Sequence, residues 1–499
     1  MTTFNKYTLY SLLLLVISLS ACKKNFDPVI TGVLSPDNFP RTEADFNLYT
    51  LQAYKPFGSK WGYNDVAYQN MFFSPEYGHL AMFDLSTDLF NTFSEWGGFW
   101  EFFSRANFTF LRTQDKTSHF EKVRYVTGMT QVLKDIATSS ISEEAKNRFS
   151  AEARMGRGMA MYYLLHMYGP LPVILDPEKI NTEAEKDLTR LSREAFVASI
   201  ESDLQFAADH LVQSPTEYGR FNKGLAMGYL MRLYLNEKNW QRAEAVGREM
   251  MGMGYALVDD YASLFREGTE RNNETIYAIS VDPTAPTSGN FGGNFNAYAM
   301  YCLPGDFQST KISGGWANPN GVFCPTWQFY DSFDPADKRR TLMVPSYTAK
   351  DGRERNRSNM RGPVLKKYPD ESSPGADVQG NDIPLLRYAD VLLMLAEAIN
   401  QQQGPTAEAF NLVNEVRAKH AGLEPLSNDL NQAQLNDAIL QERAWDLYLE
   451  GVRKMDLIRH GKWVSSLQEV GKTPSGELFP VPQYALDVSG GTLTQTTGY

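Results

Sequence analysis

The sequence predicts a mostly α protein, a scaffold of tetratricopeptide-like helical hairpins interrupted by an irregular, loop-rich insertion. Apolar side chains recur at helical spacing in separate stretches on both sides of a non-periodic middle. Asn222–Tyr234 and Trp240–Met251 are joined by the turn Asn236-Glu237-Lys238-Asn239, and Ala226, Gly228 and Ala243 offer small faces where two helices can approach. Between the helical stretches, Asp282–Gly321 is crowded with Gly, Asn, Pro, Thr and aromatic residues.

The first residues read as a processing signal. Met1–Lys6 carries a positive side chain and no acid, and Tyr7–Leu19 is apolar around Leu12–Ile17. That run is short of the ~20 residues a membrane helix needs and has the layout of a signal peptide. Leu19-Ser20-Ala21-Cys22 puts small residues before a cysteine, the bacterial lipobox pattern, in which the thiol of Cys22 carries the lipid. The expected organisation is a lipoprotein signal peptide at 1–21, a lipidated tether at 22–40 and a body at 41–499. Within the body the helical scaffold lies mainly at 41–57, 94–251 and 384–460, with the variable loop-rich region at about 270–383.

Each element has a local reason. Thr42-Glu43-Ala44-Asp45 is a capping-box pattern that opens a helix over Thr42–Tyr54. Gly58–Asn91 lacks a sustained period and reads as loops, while Ser94–Leu111 and Glu121–Ala137 return to helical character. Ala151–Tyr168 is a helix stopped by Gly169-Pro170-Leu171-Pro172, and Ser192 opens the next over Arg193–Leu211. Thr275–Val281 is a short β-type run, and Asp351–Asp382 is again irregular. A second hairpin, Tyr388–Gln401 with Thr406–His420, is broken at Gly404-Pro405. The final helix spans about Leu435–Ile458, with Glu450 facing Arg453 and Asp456 facing Arg459.

Composition excludes several function classes. The 499 residues carry 59 acids and 48 bases for a net charge of -11, without a dense basic patch, so no nucleic-acid partner is expected. The cysteines, Cys22, Cys302 and Cys324, are too few for a disulfide scaffold, although export would permit a Cys302–Cys324 bridge. No Gly-x-Ser-x-Gly elbow, phosphate loop or His-Glu-x-x-His motif occurs, and the histidines are scattered. No catalytic residue, metal or cofactor is therefore expected. Arg154, Arg157, Arg387, Glu442, Glu450 and Arg453 read as structural ion pairs rather than chemistry.

The chain resembles the SusD/RagB family of outer-membrane nutrient-binding lipoproteins along nearly all of its mature length. The resemblance rests on Ala153–Tyr163 with the exit Tyr168–Pro172, on Leu191-Ser192-Arg193, and on Gly219–Gly224 with Arg232–Leu235. It continues through Leu386–Leu393, Ala396–Ala398, Gln441–Arg443, Leu449–Arg453, Asp456–Arg459 and Phe479–Pro482. The closing segment departs slightly, with Thr496-Thr497 where Asn-Pro is common. The resemblance implies a surface lipoprotein, anchored in the outer membrane and facing the exterior, that acts as lid to a SusC-like TonB-dependent transporter. The implied cargo is an oligosaccharide or other nutrient, bound and not altered. The rival reading is a secreted or surface-anchored glycoside hydrolase.

A sugar presents apolar CH faces rimmed by hydroxyls, so its platform needs flat rings beside amide or charged groups. Two loop clusters supply these: Trp61, Tyr63, Asn64 and Tyr68, and Asn296, Tyr298, Tyr301 and Trp316. Tyr77, His79, Asp84 and Arg266 are secondary candidates, whereas Trp96, Trp100, Phe103, Trp240 and Trp445 read as packing residues.

Overall fold

The computed structural model describes residues 39–59, 78, 80–92, 105–113, 119–281, 296–308, 323–369 and 379–499. Its helical stack begins with α1 (Glu43–Tyr49), whose Thr42 and Asp45 form the expected capping box. The chain continues as a 3₁₀ turn over Thr50–Phe57. Then follow α2 (Lys122–Thr138), α3 (Glu143–Tyr168), α4 (Arg193–His210), α5 (Lys223–Asn236) and α6 (Trp240–Met251). Ser142, Ser192, Asn222 and Asn239 cap α3 to α6 by accepting from backbone amides of the first turn. Gly169, at φ 76°, ends α3 in a conformation few other residues adopt.

Each helix packs on the next, and α6 packs in turn on α9 (Tyr388–Gln403), far along the chain. Gly247 of α6 makes this fit possible, since a Cβ there would stand 2.6 Å from Met231 of α5 and 3.2 Å from Leu395 of α9. Gly228 has a different role from the one its place in the hairpin suggests: its open side receives Leu386 rather than α6. From α9 the stack runs on through α10 (Ala407–Val416) and α11 (Gln432–Leu447). The short helices α12 (Arg453–Arg459), α13 (Trp463–Glu469) and α14 (Gln483–Val488) close the chain.

Between α6 and α9 lies the insertion, which carries α7 (Tyr298–Cys302) and α8 (Trp327–Ser332). Its neck is an antiparallel pair: β2 (Thr275–Ile279) lies against β8 (Ile383–Arg387), with Thr275 opposite Arg387 and Ile279 opposite Ile383. A second pair joins β1 (Phe90–Thr92) to β3 (Phe323–Pro325). The insertion's own strands are short: β4 (Met343–Val344) pairs β7 (Val364–Leu365), and β5 (Tyr347–Thr348) pairs β6 (Glu354–Arg355).

The structure revises several expectations. Where a helix was expected over Ser94–Leu111, residues 94–104 lie outside the described ones and Phe108–Thr113 is a 3₁₀ helix. The final helix is two helices, because Leu449 and Gly451 take positive φ of 58° and 75° between α11 and α12. The carboxylate of Asp84 fills that break, accepting the amides of Glu450 (2.8 Å), Gly451 (2.8 Å) and Arg453 (3.1 Å). Arg453 pairs with Asp88 at 2.7 Å and Glu450 with Lys367 and Arg387, so they are not partners of one another. Cys302 and Cys324 are buried free thiols rather than a bridge.

Candidate functional site

Short backbone pairings of β1 and the insertion meet in one area. Thr92 of β1 sits opposite Phe323 of β3. Asn296 and Gln379 exchange both backbone hydrogen bonds, at 3.0 and 2.7 Å. Val281 donates its amide to Asp382 Oδ1 at 2.8 Å. With Tyr298 packing on Phe323 and Asn296 reaching the Asn381 carbonyl, these contacts form one rim.

Packed rings form the floor of this rim. Tyr298 stacks on Tyr368 with centroids 5.4 Å apart, Tyr301 stacks on Phe323 at 6.3 Å, and Phe90 meets Phe323 edge-on at 6.1 Å. Asn296 turns its side chain inward, donating to the Asn381 carbonyl at 3.3 Å and accepting the Tyr298 amide at 2.9 Å. Burial pushes the Tyr298 phenol well above its usual range, so it stays protonated.

The sequence placed Asn296, Tyr298 and Tyr301 among the ligand-facing residues; the structure places them in the core, at 0, 1 and 0% exposure. A ring packed on both sides offers no face to a sugar, so these three support the rim and do not line it. Trp61, Tyr63, Asn64, Tyr68 and Trp316 lie outside the described residues, as do Cys22, Tyr77, His79, Trp96, Trp100 and Phe103. Asp84 is buried as the cap between α11 and α12, and Arg266 is exposed. Trp240 packs on the core, and Trp445 is partly buried with its Nε1 donating to Ser332. Sequence reasoning missed Tyr368, Phe323 and Gln379; only the β-type run Phe323-Cys324-Pro325 carried a local signal.

The charged residues set aside as structural are all paired. Arg157 and Arg154 reach Asp203 at 2.7 and 3.5 Å. Arg387 meets Glu274 (2.7 Å), Asp446 (2.8 Å) and Glu450 (2.8 Å). Glu442 is shared by Arg339 and Arg417, at 2.7 and 2.9 Å. His420 bridges Asp446 (2.7 Å) and Glu274 (2.9 Å). Burial works against charge on His420, but the two carboxylates outweigh it and lift the imidazole to about 9. Among the described residues no group of three or more His, Cys, Asp or Glu is arranged to hold a metal ion.

A SusD family model matches residues 341–477, and a second model, starch-binding associating with outer membrane, matches residues 81–235. Together they span more than half of the chain. The chain belongs to the SusD/RagB family. SusD-like protein P2 of Formosa agariphila is 24% identical over 91% of this chain and 90% of its own length. SusD-like protein P25 of the same organism is 27% identical over 66% of this chain and 67% of its own. In three dimensions, the surface glycan-binding protein A of Bacteroides thetaiotaomicron, solved with laminarihexaose, shares the fold. Its TM-score is 0.74 at 19% identity, covering 92% of this chain and 100% of that one. SusD-family proteins are characteristically non-catalytic binding proteins, and this chain is accordingly a binder and not an enzyme. The buried ion pairs hold helices and insertion together.

Proposed function

We propose that the protein captures an oligosaccharide at the outer face of a bacterial outer membrane and delivers it, unaltered, to a SusC-like TonB-dependent transporter. Lipid on Cys22 would tether it there, with 22–40 as the leash. The observation that carries the reading is the whole-length likeness to a surface glycan-binding protein solved with laminarihexaose. The rim adds a physical reason. It is a ring-packed base close in sequence to Trp316, and binding residues carried on a packed scaffold are a common arrangement. Trp61, Tyr63, Asn64, Tyr68 and Trp316 are the proposed contacts.

A glycan array followed by calorimetry with the best hit tests the proposal. Trp61→Ala and Trp316→Ala are expected to weaken binding by ~1 kcal/mol each, the usual worth of an aromatic contact. Unchanged affinity in both variants would reject these contacts while leaving the family intact. Reducing ends released by the purified protein would instead support the hydrolase reading. Binding seen only with the transporter present would make the protein a lid. Cys22→Ser should release the protein from the membrane fraction.

A further inference from the structure

Away from the rim, a cavity of 340 Å³ opens between the start of α5, strand β2 and the loops at 213–222, 253–255 and 271–273. That is within the ~300–1,000 Å³ range of small-molecule sites. Tyr218 stands in its wall. The phenol donates to Asp382 Oδ2 at 2.6 Å, and the Arg271 guanidinium covers the ring 3.9 Å from its centroid. Tip and one face are thus fixed, yet the residue remains 46% exposed. An aromatic ring held in place at a cavity wall loses little freedom when something stacks on it.

The rest of the lining supplies hydrogen-bonding groups that neighbouring protein groups leave open to the cavity. The Tyr255 hydroxyl and the side chains of Asn273 and Ser214 have no hydrogen-bond partner among the described residues. Burial pushes the Tyr255 phenol up to about 12, so it remains a donor at neutral pH. The charges, by contrast, are answered. Arg220 holds Glu217 at 2.7 Å and Glu152 at 2.9 Å, and Arg271 lies 3.9 Å from Asp382. A fixed ring, idle hydroxyl and amide groups and balanced charge match an uncharged polyol with an apolar face better than an anion, a cation or an apolar ligand.

We infer that this cavity is a second carbohydrate contact, taking one or two neutral sugar residues. The inference rests on the glycan-capture reading and extends it. Asp382, which fixes Tyr218, also accepts the Val281 amide at one end of the rim, so both contacts are built on one neck. A long glycan engaging both gains avidity that a short one cannot.

Saturation-transfer NMR with glucose, galactose, N-acetylglucosamine and glucuronate on the full chain tests it. At least one neutral sugar should receive saturation from the wild type and from Trp61→Ala/Trp316→Ala. The signal should fall about tenfold in Tyr218→Ala/Asn273→Ala and persist in Tyr218→Phe, which keeps the ring. Thermal melting checks that each variant is folded. Equal signals in wild type and Tyr218→Ala/Asn273→Ala, transfer to glucuronate alone, or no transfer to any of the four would each overturn the cavity assignment. The glycan array with Trp61→Ala/Trp316→Ala judges the primary reading separately, so either can fail alone.

Discussion

The helical stack and its junction with the insertion are held by different forces. Around α5 and α9 most buried side chains are apolar, among them Leu230, Leu233, Leu392 and Leu395, and the charged ones are few: Arg232 pairs with Asp390, and Glu397 with Arg459. At the junction, Glu274, Arg339 and Lys367 of the insertion meet His420, Glu442, Asp446 and Glu450 of the later scaffold, all buried. The stack can rely on apolar contact because long helices present continuous stripes. Two-residue strands such as β4 to β7 present none, and their attachment is made by directional contacts with few alternatives. Burial disfavours charge on Asp446, yet His420, Arg387 and Arg339 outweigh it and hold the carboxyl well below its usual range. Buried ion pairs also join helices of the stack, such as Arg157 with Asp203 and Arg232 with Asp390, but at the junction they form a connected cluster that fixes the insertion's orientation where its short strands cannot.

Arg387→Met is the most direct way to break this contrast. It takes from Glu274, Asp446 and Glu450 the cation they share and leaves them His420, Arg339 and Lys367, and denaturant unfolding should show a loss of about 3–5 kcal/mol, as for a buried pair robbed of one partner. A second test uses pH. The folded-state pKa of His420 is raised from 6.5 to about 9, so its stabilisation is complete below pH 6.5 and lost as pH rises through 9. Melting temperatures between pH 6 and 10 should therefore fall more steeply in wild type than in His420→Gln. Asp84→Asn replaces a carboxyl that accepts three backbone amides with a side-chain amide at the break between α11 and α12, with an expected cost of about 1–3 kcal/mol in denaturant unfolding. In the stack, Asn222→Ala removes only one cap and should cost about 1 kcal/mol. If it costs as much as Arg387→Met, the contrast between the two regions fails.

The two regions were also unequally legible. Ser192, the Thr42–Asp45 box and the stop at Gly169 act on residues within one turn, so a linear reading finds them. The division between α11 and α12 depends on a carboxylate more than three hundred residues upstream, which no local pattern reports. Asn296, Tyr298 and Tyr301 show the same limit at the site. Amides and rings in a Gly-rich stretch look alike whether they face a ligand or support the segment that does. Their burial comes from Tyr368, Phe323 and Gln379, each distant in sequence. The pairing of Glu450 with Lys367 and Arg387, in place of nearby Arg453, has the same cause.

The contact of Asp84 with the amides of Glu450, Gly451 and Arg453 also bears on how the chain matures. A nascent polypeptide that has emerged only as far as Leu447 possesses the acid but none of the three donors, and the stretch leading into β1 has nothing to dock on. Docking of that stretch must wait until Glu450, Gly451 and Arg453 have been made, so this part of the fold cannot close early in synthesis.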